Sequence, residues 1–153
     1  MRRAAGFTLV EIMIVVSVIA LLAVMALPSF LRARQQAQNA KFMNGLRVAC
    51  GAFEQYAIEH SAYPADVNRG VVPTGMAPYF GPTFDWTKPT PIGGNWDWDY
   101  MVFGFTAAVS VVGSTASVQQ MTDIDAKMDD GDLSTGNFRI KAADDIVTSL
   151  SRT

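Results

Sequence analysis

Residues 6–30, GFTLVEIMIVVSVIALLAVMALPSF, constrain this chain more than any other stretch. From Ile12 to Leu27 the only polar residue is Ser17, and the apolar run extends to Leu31. Counted from Phe7 it covers 25 residues. That is about 37 Å of helix at roughly 1.5 Å per residue, enough to cross a bilayer. Arg2 and Arg3 precede the run and Arg32 and Arg34 follow it, so flanking charge does not orient it. Three fates fit such a segment: a signal peptide cut after Ala26, a plain uncleaved anchor, or an anchor cut ahead of the apolar run, at Gly6. Glu11 separates them. A signal peptide has no use for a carboxylate here. A plain anchor loses about 2.5–3.5 kcal/mol when a charge sits at its centre, and somewhat less near the edge. A cut after Gly6 frees an α-amino group on Phe7, four residues before Glu11. An anion is favoured in the first helical turn, and the amine of a neighbouring subunit would neutralise it.

Gly6-Phe7-Thr8-Leu9-Val10-Glu11, behind a short basic leader and ahead of an apolar helix, resembles the N-terminal signature of type IV pilins and type II secretion pseudopilins. The resemblance covers roughly residues 1–31, and Pro28 falls where many pilins carry a helix-bending proline. It implies a leader, residues 1–6, removed by a prepilin peptidase that then N-methylates Phe7. It implies a transmembrane and filament-core helix over 7–31, and pairing of Glu11 with the Phe7 amine of an adjacent subunit. The globular part, residues 32–153, includes the amphipathic second half of the helix to about residue 60. The implied partners are further copies of the chain, the peptidase, the membrane, and inner-membrane pilus or secretion machinery. The implied location is the inner membrane before assembly, and a surface pilus or periplasmic pseudopilus afterwards.

Helical patterning continues past Leu31. Phe42, Leu46, Ala49, Phe53 and Tyr56 recur at spacings of four and three, one apolar stripe against which a soluble domain can lean. A helix from about Phe7 to His60 is expected, about 80 Å long if unbroken; two helices separated at Pro28 are the alternative. Pro28 removes the hydrogen bond to the Val24 carbonyl and kinks the rod. Gly45 and Gly51 weaken the helix by up to about 1 kcal/mol each, the natural reading being close packing against the head. After His60 the next 35 residues hold six prolines and five glycines, a long irregular connection that is functional or disordered. Trp96, Trp98 and Tyr100 then alternate with Asp97, Asp99 and Met101, a strand with one aromatic face and one wet face. The tryptophans read as core against the helix or as a ligand platform. FTAAVSVV and GNFRIKA are two more strand candidates, and Met121, Ile124 and Met128 mark a short helix between them. The expected fold is α+β: a long N-terminal helix against a small antiparallel sheet.

Charge is asymmetric. Residues 1–60 hold six Lys/Arg and three Glu, net +3; residues 61–153 hold six Lys/Arg and eleven Asp, net −5. An acidic distal part argues against phosphate-backbone binding. Asp129, Asp130 and Asp132 form either a solvated acidic turn or a calcium site, although their spacing misses the EF-hand pattern. No other cofactor is implied. One histidine, His60, and one cysteine, Cys50, leave no readable nucleophile–base pair, phosphate loop or zinc set. Cys50 reads as a small core residue. The expected function is a structural subunit of a type IV pilus-like filament, not an enzyme. The alternatives are a type II secretion pseudopilin and a monomeric membrane-tethered binding module.

Overall fold

The structure is a computed structural model that describes the backbone of residues 6–102, 104–142 and 145–149, with side chains to residue 141. Helix α1 spans Leu9–His60 in one stretch of 52 residues. The chain divides into a unit ending at Ala37 and a second unit, Gln38–Thr153.

In the first unit none of residues 6–37 is buried. Leu21 is 70% exposed and Met25 81%, with apolar side chains on every side of the helix. Among the described residues α1 is the one helix long and apolar enough to cross a membrane. Its polar side chains turn inward: the Ser17 hydroxyl donates to the Met13 carbonyl at 2.8 Å, and that of Ser29 to the Ala26 carbonyl at 2.9 Å. Such back-bonding satisfies hydroxyls that lipid cannot. Pro28 lies inside α1 without ending it, so the two-helix alternative is not what forms. A proline removes one ladder bond, and the helix formers on both sides carry the helix past it.

In the second unit α1 buries Asn39, Phe42, Leu46, Ala49, Ala52 and Phe53; the expected stripe gains Asn39 and Ala52, while Tyr56 is only half-buried. Four antiparallel strands face it: β1 (Asn95–Tyr100), β2 (Ala107–Val112), β3 (Phe138–Ala142) and β4 (Asp145–Ser149), in the order β1-β2-β4-β3. The first three match the expected strands. The fourth is new, and it lies between β2 and β3, pairing Val111 with Ile146 and Ile140 with Ile146. Helix α2 (Val118–Met128) joins β2 to β3 and buries Met121, Ile124 and Asp125. Ser117 caps it by accepting the Gln120 N–H at 3.2 Å, and the Gln120 amide reaches Asn39 on α1 at 2.7 Å.

The core is aromatic. Phe53 stacks on Trp98 at 3.8 Å between ring centres, and Phe42 on Trp96 at 5.6 Å. Trp98 is fully buried and Trp96 is 3% exposed, so both rings are core against the helix. The Pro/Gly-rich segment is neither disordered nor merely a surface loop. It contributes Met76, Trp86 and Ile92 to the core. Its irregular backbone is held by indole donors: Trp98 Nε1 to the Pro64 carbonyl at 3.0 Å and Trp86 Nε1 to the Val71 carbonyl at 2.9 Å. Gly45 is a packing glycine, since a Cβ there would lie 3.2 Å from Trp96; one at Gly51 would meet nothing within 4 Å, so packing does not explain it.

The expected wet face of β1 is partly dry. Asp99 is only 6% exposed and Asp97 is half-buried. The segment 66–70 crosses this edge strand, with a bridge from Val67 to Trp98 and the Gly70 N–H donating to the Trp96 carbonyl at 2.7 Å. Burial raises the Asp97 carboxyl to about 6, with Asp99 and Asp66 adding to the rise and the Trp98 N–H and Arg69 opposing it.

Candidate functional site

Two groups of residues could carry function, and neither is a catalytic set. The first is the entry to α1. Gly6 and Phe7 lie outside the helix, and Phe7 is 82% exposed. Thr8 precedes the first helical residue. One oxygen of Glu11, Oε2, accepts both the Thr8 N–H at 2.7 Å and the Thr8 hydroxyl at 2.8 Å. The Glu11 N–H in turn lies 3.3 Å from the Thr8 hydroxyl oxygen. This reciprocal arrangement is a capping box. Free N–H groups at a helix start need acceptors, and Glu11 supplies one from within its own chain. On the sequence alone Glu11 reads as a carboxylate awaiting a partner. The T-x-x-E spacing of Thr8 and Glu11 was the signal that it already has one. Pro28 lies well down α1 and takes no part in this site.

The second group is acidic. Asp125, Asp129 and Asp130 each bring a carboxylate oxygen within 4.8 Å of the others. Asp132, expected in this set, instead accepts the Ser134 hydroxyl at 2.6 Å and its N–H at 3.0 Å, which hold its carboxyl below the usual range. Asp125 was missed. It precedes Asp129 by one helical turn at the end of α2, and its side chain is fully buried with both oxygens lacking a hydrogen-bond partner. Burial pushes its carboxyl up, and the charges of Asp130, Asp129 and Asp132 push it further; the Gly131 N–H opposes this without closing a hydrogen bond.

The neighbouring backbone fixes the other two. Asp129 Oδ2 accepts the N–H groups of Asn137 and Phe138. Asp130 accepts the Thr135 hydroxyl at 2.8 Å and the Asp132 N–H at 2.9 Å. Gly136 has φ +71°, and a Cβ there would collide with the Asp129 carboxylate. A buried carboxylate without a donor costs several kcal/mol unless it is neutralised. Three hard oxygen donors around one point suit a divalent cation, calcium above all, which accepts carboxylates, backbone carbonyls and water in a flexible shell.

The reactive residues lie elsewhere. Burial pushes the Cys50 thiol up to about 12, with Glu54 adding to the rise, so little nucleophilic thiolate is present. His60 stacks on Tyr56 at 4.1 Å at the end of α1.

Residues 1–27 match the prokaryotic N-terminal methylation motif. The type IV wide pilus major component PilA4 of Thermus thermophilus is 38% identical over 66 residues, covering 43% of this chain and 50% of that protein. The type II secretion system core protein G of Klebsiella pneumoniae is 34% identical over 64 residues, covering 42% of this chain and 46% of that protein. Its counterpart in Vibrio cholerae is 33% identical over 64 residues, covering 42% and 44%. The chain thus spans about half the length of the curated relatives it matches. No solved structure matches it. Residues 1–27 thus carry the prokaryotic N-terminal methylation motif, and the chain is similar to a type IV pilin and to type II secretion core proteins.

Proposed function

We propose that this chain is the structural subunit of a type IV pilus-like helical filament. It is cut after Gly6 by a prepilin peptidase, methylated on Phe7, held in the inner membrane by α1, and polymerised through that helix. The observation that carries the reading is the junction itself. A capped carboxylate sits one turn from Gly6-Phe7, at the head of a helix with no buried side chain before residue 39. A single copy leaves that apolar surface uncovered, and lipid or other copies of the helix are its natural solvents. Assembly would bring the Phe7 amine of one subunit to Glu11 of the next. Intact-mass analysis of protein from a native host tests the processing: the chain should begin at Phe7 and be one methyl group heavier. A mature N-terminus at Leu27 would mean a signal peptide and end this reading.

Asp125, Asp129 and Asp130 are the residues that would hold calcium, and the orphaned carboxylate of Asp125 fits that role. When bound, the ion would neutralise the cluster and tie α2 to the turn before β3. The similarity to the type II secretion system core protein G favours a second reading, a pseudopilus subunit. Loss of secretion without loss of surface pili in a deletion strain would favour that second reading over the first.

A further inference from the structure

One feature of the second unit serves neither the filament helix nor the acidic cluster. A notch of ≈ 390 Å³ opens between α1 and the segment 83–91. That volume falls at the small end of ligand sites, which run from about 300 to 1,000 Å³. Phe84 and Trp96 line it with rings 5.5 Å apart, and Val48, 37% exposed, lines it from α1. Polar residues stand among these apolar surfaces: Lys41, Asn44 and Lys88, with Asp85 as the one carboxylate. Lys88 already pairs with Asp85 at 3.2 Å, whereas Lys41 makes no ion pair among the described residues. Apolar ring surfaces beside a spare cation complement a flat ring that carries a negative charge.

We propose that the notch binds a small planar anion, a ring bearing a carboxylate or sulfonate. The ring lies against Phe84 and Val48, and the charge meets Lys41 with Asn44 as a hydrogen-bond donor. An open notch and one unpaired cation imply modest affinity, a dissociation constant on the order of 1 mM. The test is a titration of isotope-labelled full-length protein in detergent micelles with 2-naphthoate, read by NMR. Saturable shifts should centre on the Trp96 indole N–H and the amides of Gly45 and Phe84. Lys41→Gln should weaken binding about fivefold, Val48→Trp should abolish it by filling the notch, and Lys127→Gln on α2 should leave it unchanged. Shifts that rise linearly without saturating, or that centre on residues 9–31, would mean partition into the micelle and overturn the proposal. So would equal binding of the neutral 2-naphthamide, or undiminished binding to the Lys41→Gln protein.

Discussion

A glutamate in a membrane-length helix costs less once its carboxylate has hydrogen-bond donors. Thr8 provides two of them to Glu11, so the residue has a local role before any partner arrives. Glu11→Gln separates that role from charge pairing, because the amide oxygen can still accept from Thr8 while the charge is gone. We expect normal amounts of membrane-bound subunit and loss of filaments, counted by microscopy and blotting of the same cells. Normal filaments from the Gln variant would leave capping as the whole function of Glu11. Asp97 permits a second test at this scale. Its carboxyl, ordinarily near 3.8, sits at about 6 in the folded head, so the folded state holds the proton more tightly than the unfolded chain. The resulting stability is present below about pH 4 and is lost as pH rises through about 6. Asp97→Asn should therefore stabilise the head at pH 7, by about 1 kcal/mol once solvent screening at this half-buried site is allowed for. It should also flatten the decline in melting temperature between pH 4 and 6; an unchanged pH profile would exclude Asp97 as its source.

Among the elements, α2 is the most dependent on local chemistry. It has 11 residues, below the length at which an isolated helix persists in water. The Ser117 cap and the Gln120–Asn39 bond fix its start, while Met121 and Ile124 anchor one face. Ser117→Ala should cost about 1 kcal/mol, or about 4–6 °C in the melting temperature of the head. A shift below 1 °C would show that packing alone holds the helix. The Pro/Gly segment depends on β1 in a different way. Trp98→Phe keeps a ring to stack on Phe53 but strands the Pro64 carbonyl, which is left without its indole donor. The expected loss is about 1–3 kcal/mol, and amide exchange should accelerate near residues 64–70 more than in β2. Uniform acceleration would place the damage in the core instead.

At the scale of the whole molecule, a bound cation would decide how the acidic cluster behaves. Calcium at a hundredfold excess over its dissociation constant should stabilise the full chain in detergent by about 2.7 kcal/mol relative to chelator. Asp125→Asn makes the reading sharper. With the buried charge removed, the variant should melt at or above wild type in chelator and lose its response to calcium. A calcium response that survives the substitution would move the ion away from Asp125. No response in wild type would leave the cluster as a charged turn, with the Asp125 carboxyl pushed up by burial and by its acidic neighbours.

The span and the helical stripe were legible because each is written in neighbours within one or two turns. The same holds for β1, β2, β3 and α2, whose periodicities of two and 3.6 residues need no knowledge of the rest of the chain. The capping box is just as local, in the T-x-x-E spacing, but was not read there. Only tertiary structure decided that β4 would lie between β2 and β3, since strand order depends on which edges meet after the chain has returned. It also decided that a segment rich in proline and glycine would become core. The bonds that hold it join residues 15 and 34 apart, through Trp86 and Trp98. Asp125 illustrates the same limit. Helical spacing places it beside Asp129, but its burial comes from the packing of α2, and that packing turns an ordinary aspartate into an orphaned carboxylate. Local sequence sets which groups can be neighbours along the chain; water exclusion, which gives a charge its consequence, is a property of the assembled core.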